Sequence, residues 1–321
     1  MAQLTDPSTR TDTPPQQRTE ADARGRTSAR PQFGASAART GAWIVLLAWA
    51  AFSLTPIIWV LLAVTKNNAQ LQNDFPFSFG SFDNIFIAWG NLQGYDHGVV
   101  LDWIGNSVVL TVGGIALAVL TTVPAGYALG TREFPGRKSV LMVSLLLMLV
   151  PASALVLPLF LEMTTLGLVG NPLSVILPLG VFPFGVYMSF IYFSTTVDKD
   201  VYSAARLDGC NEWQVFARVA VPLAKPIVVL LAFFAFMRNW NEYFLPFVML
   251  GGPQHPLPVG LATLASNVPQ LNPLSAQSAD IGLPELILAT IISMAPVMIV
   301  LIVAQRTVLK SADLMGGGLR G

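Results

Sequence analysis

The sequence predicts an all-α integral membrane protein with six transmembrane helices, and three observations carry that reading. Hydrophobic residues make up 53% of the 321, charged residues only 11%, and mean hydropathy is +0.60; a soluble chain of this size would hold about a quarter charged residues. Six apolar runs are each long enough, at about 1.5 Å per residue, to cross a hydrocarbon core of roughly 30 Å. Lysine and arginine fall almost wholly on alternate connections between those runs, the asymmetry that orients membrane proteins.

Residues 1–40 are rich in Thr, Ser, Pro, Gln and Arg with almost no large apolar side chains. Such a segment cannot offset its ordering entropy and is expected to be a disordered tail. A cleaved leader would carry its apolar stretch close behind the basic end, and here the first apolar run begins only after residue 40. Residues 41–101 supply the first span and an external loop, residues 102–305 the main membrane domain, and residues 306–321 a C-terminal tail. The spans are placed at 42–64, 104–129, 140–161, 173–193, 227–250 and 286–304. Pro56, Pro124, Pro151, Pro158, Pro178, Pro183, Pro246 and Pro296 fall inside them, where proline bends or interrupts a helix and serves either a pathway or simple packing.

Orientation follows from the basic residues. The tail, the link at 131–139, the polar stretch 198–226 and the C-terminus hold sixteen of the eighteen, whereas the connections 65–103, 162–172 and 251–285 hold only Lys66. Both termini and the stretch 198–226 are therefore expected in the cytoplasm of a multi-pass plasma (inner) membrane protein. The opposite segments 74–102 and 251–280 are polar, proline-punctuated and too long for tight turns.

The stretch 198–226 is patterned. Two short helices, 200–208 and 212–219, are expected to meet at Gly209, a residue free to take positive φ. Asn211 with Gln214 three residues on forms a capping box, and Pro222 and Pro226 are expected to end helical continuity. Trp213, Phe216, Ala217 and Ala220 recur at helical spacing, so an amphipathic helix outside the membrane needs an apolar partner.

Ser203, Ala204, Ala205, Arg206, Leu207, Asp208, Gly209, then Glu212, Trp213, Val221 and Pro222 resemble the EAA loop of binding-protein-dependent ABC importer permeases, in the sugar-importer branch related to the second maltose permease subunit. The resemblance runs from about Asn106 to the C-terminus. It implies a type I ABC importer permease fold with a cytoplasmic coupling helix that docks in a cleft of an ATPase subunit. Ala204, Ala205, Asp208, Gly209 and Pro222 fall on signature positions, with Ser203, Arg206, Trp213 and Phe216 also placed in the coupling contact. Ser203 stands where the family has Glu, and Tyr202 at another commonly acidic position, which puts any acidic contact there in doubt. The implied partners are a second permease subunit, two ATPase subunits or a homodimer of one, an extracytoplasmic solute-binding protein met by the outer segments, and membrane lipid. ATP and magnesium would be used by the ATPase, with no cofactor bound by this chain.

Arg238 and Glu242 are the only charges inside the spans as placed. An arginine at bilayer centre costs about 3 kcal/mol on insertion scales and so faces protein or water with a partner. Glu242, four residues on, is the expected partner on the same helical face. Asn239, Asn241, Trp240 and Tyr243 add amides and rings of the kind that bind sugars. Trp240, Asn241, Glu242 and Tyr243 resemble a WNEF-like segment common in sugar-importer permeases, a pattern to which Arg238 does not belong. The group reads equally as pathway lining or as a structural lock between helices. Asn106 and Ser107 match the position where an Asn-Ser or Asn-Thr pair opens the family's membrane domain, and are expected to cap the second span.

No G-x-x-x-x-G-K-[ST] phosphate loop, GxSxG elbow, HExxH motif or paired-carboxylate site occurs, so the chain is not expected to bind ATP or act as an enzyme by itself. His97 and His255 are too isolated to suggest a metal, the single Cys210 excludes an internal disulfide, and zero net charge gives no support for nucleic-acid binding. The competing reading is an ion-coupled secondary transporter in which Arg238 and Glu242 relay charge, although no internal repeat supports one. A third is a membrane-anchored scaffold.

Overall fold

The computed structural model describes residues 32–275 and 281–316, with side chains described over 39–274 and 281–305. The expected disorder of residues 1–31 and the end of the C-terminal tail, 317–321, lie outside the described residues. The fold is all-α, with no strand among the described residues. The chain divides into two compact units, 1–57 and 58–321.

The first unit holds the body of helix α1 (Gln32–Ala63). It begins inside the segment read as tail, where Ala35, Ala37 and Ala38 favour helix. Every side chain from 39 to 57 is exposed, and a helix apolar all round must be covered by lipid or by another protein.

The second unit begins with the last turns of α1. A short helix α2 (Asn68–Asn73) opens on a capping box between Asn67 and Gln70, and α3 (Phe82–Gly94) follows. The segment read as an external loop is thus largely helical. Ile85, Ala88, Trp89 and Leu92 recur at helical spacing and pack against the last long helix, a stripe masked in the sequence by polar neighbours. Asp96, His97 and Gly98 then take left-handed conformations, with φ of 43°, 59° and 87°. This turn separates α3 from α4 (Val99–Thr131), which crosses the unit from end to end.

The third span is bent rather than straight: α5 (Arg137–Leu147) and α6 (Ala152–Thr165) meet at 108°, with Pro151 at the start of α6. The fourth divides into α7 (Leu173–Gly180) and α8 (Pro183–Thr195) at Val181 and Phe182. After the polar stretch, with α9 (Lys199–Leu207) and α10 (Glu212–Leu223), the fifth span consists of α11 (Lys225–Trp240) and α12 (Phe244–Met249), interrupted at 241–243. Helix α11 alone, 16 residues, spans about 24 Å and falls short of a hydrocarbon core of roughly 30 Å. Helix α13 (Leu257–Asn267) and the long α14 (Leu283–Gly316) end the described chain. Among the described residues four helices are long and apolar enough to cross a membrane, or up to six if each of two bent pairs, α5 with α6 and α10 with α11, forms one span.

Helix α4 is the common member of the packing, against α7, α8 and α11. Gly126 and Gly130 face α8, where a Cβ on Gly126 would collide with the Ser189 side chain and one on Gly130 would lie 2.8 Å from Phe193 Cβ. At its N-terminal end Trp103 packs on Gly260 of α13, in a cluster with Leu257, Leu264 and Ile281. At its C-terminal end Tyr127 joins Phe193, Tyr202 and Leu231 in a second cluster. Gly126→Leu is expected to separate α4 from α8 and to lower stability by about 1–3 kcal/mol, the usual range for overpacking. Thermal melting of the detergent-purified protein measures it; Gly90→Ala, which meets nothing within 4 Å, is the control that should leave the midpoint in place.

Candidate coupling and translocation sites

At the C-terminal end of α4 the two helices of the polar stretch meet as expected. Gly209 joins them with φ +85°, and the Asn211–Gln214 capping box is formed in both directions at 2.9 Å. Asp198 caps α9, its carboxylate accepting from the Asp200 amide at 3.0 Å. Continuity does not end at Pro222. Helix α10 runs through a π-helical turn, Val215–Ala220, to Leu223, and the break falls at Ala224, with Pro226 in the first turn of α11 and a 73° bend between them. Pro222 lies inside α10, two residues after the end of the π turn.

The apolar side chains of this stretch divide between two directions. Phe216 does not project outward. It packs half-buried against Tyr127 at 5.2 Å, and Ala220 is fully buried. Trp213, 72% exposed, and Leu207, 89% exposed, face away from the unit, as do Ser203, Ala204, Asp208, Gly209 and Ala217, with Ala205 half-buried. The stretch is fastened to the membrane helices at three points. Tyr202 is fully buried, edge-on to Tyr127 at 5.6 Å, and burial together with Tyr127 and Tyr192 pushes its phenol up to about 12. Glu212 pairs with Arg206, at 3.0 Å, and with Arg132 just after α4. The Tyr192 hydroxyl of α8 donates to the Leu223 carbonyl at 2.6 Å. None of Tyr202, Tyr127, Arg132 or Tyr192 was singled out for this role from sequence; an aromatic or basic residue at a loop edge carries no distinguishing pattern.

Near the middle of the unit, Arg238 has a different partner from the one expected. It sits in the last turn of α11, and the helix ends two residues later at Trp240, so the regular spacing that would pair it with Glu242 does not extend that far. Its guanidinium instead donates to the Leu179 carbonyl and, at 3.2 Å, to the Val181 carbonyl, the acceptors freed where α7 and α8 break. It also lies over the Phe182 ring, 4.7 Å from the centroid. The Thr121 hydroxyl takes the intervening Gly180 carbonyl at 2.9 Å. Glu242 caps α12, accepting from the Leu245 amide at 3.2 Å, and makes no ion pair with Arg238.

The other members of this group divide likewise. Trp240 is buried, stacked on Phe236 and donating to the Ser293 carbonyl of α14 at 3.0 Å, a lock between helices. Asn241 is exposed and donates to the Met237 carbonyl at 2.7 Å. Tyr243 is half-buried and stacks on Phe247 at 5.6 Å. Asn239 is 5% exposed; its oxygen accepts from Arg238 Nε at 3.2 Å, while its Nδ2 finds no partner among the described residues. That amide lies against Gly114 of α4, and Asn239 borders a crevice too narrow for a water molecule, lined also by Ser107, Trp240, Glu242, Pro246 and Pro256. Asn106 and Ser107 do not cap α4, which starts at Val99. Asn106 donates to the Pro253 carbonyl at 2.7 Å and Ser107 Oγ accepts from the Leu257 amide at 2.7 Å, tying the approach to α13 onto α4.

Residues 122–312, which include both groups, match the model of the binding-protein-dependent transport system inner membrane component family. The chain belongs to this family. It is 30% identical over 275 residues to the diacetylchitobiose uptake system permease protein NgcG of Streptomyces coelicolor, covering 84% of this chain and 85% of the relative. It is 30% identical over 288 residues to the arabinooligosaccharides transport system permease protein AraQ of Halalkalibacterium halodurans, covering 87% and 96%. A crystal structure of a bacterial ABC transporter involved in the import of the acidic polysaccharide alginate superposes with a TM-score of 0.71 at 25% identity, covering 88% of this chain and 99% of that one.

In this permease Arg238 is thus fastened to the broken fourth span. Replacing it with Met leaves the Leu179 and Val181 carbonyls without these donors, and the buried one, at Leu179, costs about 1–3 kcal/mol. The melting midpoint of Arg238→Met is expected to drop, while Glu242→Gln, which keeps its capping oxygen, leaves it nearly in place. Equal losses in the two variants, with no further loss in the double, would restore the Arg238–Glu242 pair instead.

Proposed function

We propose that this permease imports a carbohydrate as one half of the membrane passage of an ATP-driven importer. A second permease subunit encloses the other half, two ATPase subunits or a homodimer of one use ATP and magnesium, and an extracytoplasmic binding protein delivers the cargo. The observation that carries the reading is the family match across both groups of residues, with relatives named for diacetylchitobiose, arabinooligosaccharides and lactose supporting the cargo class. The distribution of Lys and Arg supports placing both termini and the stretch 198–226 in the cytoplasm, on the side of ATP.

The proposed mechanism starts at Leu207 and Trp213, the exposed apolar side chains of the two loop helices. Seated in a cleft of the ATPase, with Ser203, Ala204, Ala205, Asp208 and Gly209 around them, they move as that subunit closes on ATP. The Tyr202–Tyr127 contact and the Glu212 bridges to Arg132 and Arg206 hand the displacement to α4, and Tyr192 hands it to α8. Both helices continue to the break that Arg238 and Thr121 hold, so a tilt of the loop reaches the crevice at Asn239. There the Asn239 amide, closed off in this state, would meet sugar hydroxyls only once that tilt opens the crevice. Work comes from the different affinities of the two states for nucleotide and cargo, not from a bond made in this chain. An ion relay through Arg238 and Glu242 has no such support, because each is occupied elsewhere.

Gly209→Val tests the lever. A β-branched residue is strained at φ +85° by roughly 1–2 kcal/mol, enough to change the angle between α9 and α10. In vesicles holding the whole transporter, uptake of a labelled oligosaccharide is expected to fall about tenfold or more per ATP hydrolysed, each 1.4 kcal/mol being tenfold, while the subunit still co-purifies with its ATPase. Coupled uptake at the normal ratio would sink the lever, and co-purification of the native chain with no ATPase would sink the importer reading itself.

A further inference from the structure

At the end of the unit away from the loop, a run of apolar side chains lies between the spans placed from sequence at 42–64 and 104–129, reaching into the helical stretch Phe82–Thr131. Phe75, Phe77, Phe79, Phe82, Phe86 and Ile87 are all exposed, Phe75 at 71% and Phe86 at 73%. Contiguous exposed apolar surface of this kind marks a site of interaction. The opposite face of α3, with Ala88 and Leu92, is already consumed by packing.

The backbone enforces this outward display. Lys66 is fully buried, and its ammonium donates to the Phe75 carbonyl at 2.7 Å and the Pro76 carbonyl at 3.3 Å. The Ser78 amide and hydroxyl add bonds to the same Phe75 carbonyl at 3.0 and 2.8 Å. With the polar backbone turned inward, the rings turn out. The Thr65 carbonyl accepts from the Ser81 amide at 2.7 Å and from Asn84 Nδ2 at 2.8 Å, and its hydroxyl accepts from the Gly80 amide at 2.9 Å. Gly80 is required there, because a Cβ would collide with that carbonyl. These bonds seat the edge-on Phe79–Phe82 pair, 5.0 Å between centroids, against the residues that directly follow the end of α1 at Ala63.

We propose that the segment 75–87 is a lipid anchor, lying in the membrane interface at the end of the first span and burying its phenylalanines among lipid chains. Two features favour lipid over a protein. The last turn of α1 still exposes Ile58, Trp59 and Leu61, so the hydrocarbon region ends within a few residues of Thr65, at the level of the ring pair. A protein interface also needs about one hydrogen bond per 100–200 Å², whereas the backbone groups named above at Phe75, Pro76, Gly80 and Ser81 are bonded internally and leave mainly rings to offer. Apolar rings displayed with the backbone polar groups withdrawn, and a charged group, Asp83, still exposed at the edge, is the pattern of interfacial segments.

The test uses the whole transporter in phosphatidylcholine vesicles. The native thiol is removed by Cys210→Ser, and a nitroxide is placed at Phe79→Cys, Phe82→Cys or Phe86→Cys, with Gln72→Cys on exposed α2 as the aqueous reference; the complex carrying only Cys210→Ser provides the background. At the three phenylalanine sites relaxation by oxygen is expected to exceed relaxation by a water-soluble nickel chelate, with the order reversed at Gln72. Nickel equal to or above oxygen at these sites means a water-facing patch, and protection from both means a protein cover; either overturns the anchor. Phe86→Trp avoids the label: brominated lipid should quench more of its emission than of the native chain's, and equal quenching would again overturn the proposal.

Discussion

Inside a bilayer there is no water to take a backbone carbonyl that a broken helix sets free, so every interruption of a span must carry its own donors. The fourth span meets this constraint with side chains from two other helices. Arg238 of α11 holds the carbonyls of Leu179 and Val181, and Thr121 of α4 holds that of Gly180. The break therefore ties three elements together at one point. It also redirects α8 so that it can lie along the glycines of α4, and the rest of the unit is assembled around that pair.

Helix α4 makes the two ends of the unit mechanically one body. Its C-terminal half carries Tyr127 and leads to Arg132, the attachments of the polar loop, whereas its N-terminal half carries Trp103, Asn106 and Ser107, which fix the approach to α13. Between them lie Gly114, facing Asn239, and Thr121, facing the helix break. A rigid helix with contacts of these kinds transmits displacement without needing a chain of conformational changes.

How much of this was legible in the sequence varies with the range of the interaction involved. Long apolar runs mark spans because length and composition are local properties, and Gly209 and the Asn211–Gln214 box were legible because cap and turn geometry is set within four residues. The helices at 82–94 and 257–267 were not, since their apolar stripes are interleaved with polar residues, glycine and proline. The pairing of Arg238 with Glu242 failed for a definable reason: it assumed a continuous helix, and α11 stops at Trp240. Where a helix stops depends on what its neighbours can satisfy, and the carbonyls that claimed Arg238 lie nearly sixty residues away. Phe216 and Trp213 share a helical stripe by spacing, yet the unit takes the first and leaves the second outside; only the position of Tyr127 separates them. Asn106 and Ser107 looked like caps because the start of α4 was placed too late.

The π-helical turn at Val215–Ala220 has a consequence for the length of the loop. A π turn accommodates one residue more than an α turn of the same height, so it stores an insertion without passing it on. Deleting one residue there can rewind the turn to regular pitch and leave Trp213 on one side and the fastening at Leu223 on the other in their present directions. A deletion elsewhere in α10 swings everything beyond it by about 100° around the axis, as 3.6 residues per turn requires. The loop is thus tolerant of a change in length at one place and intolerant on either side, which makes that turn the natural joint at which such a loop could be shortened or grafted.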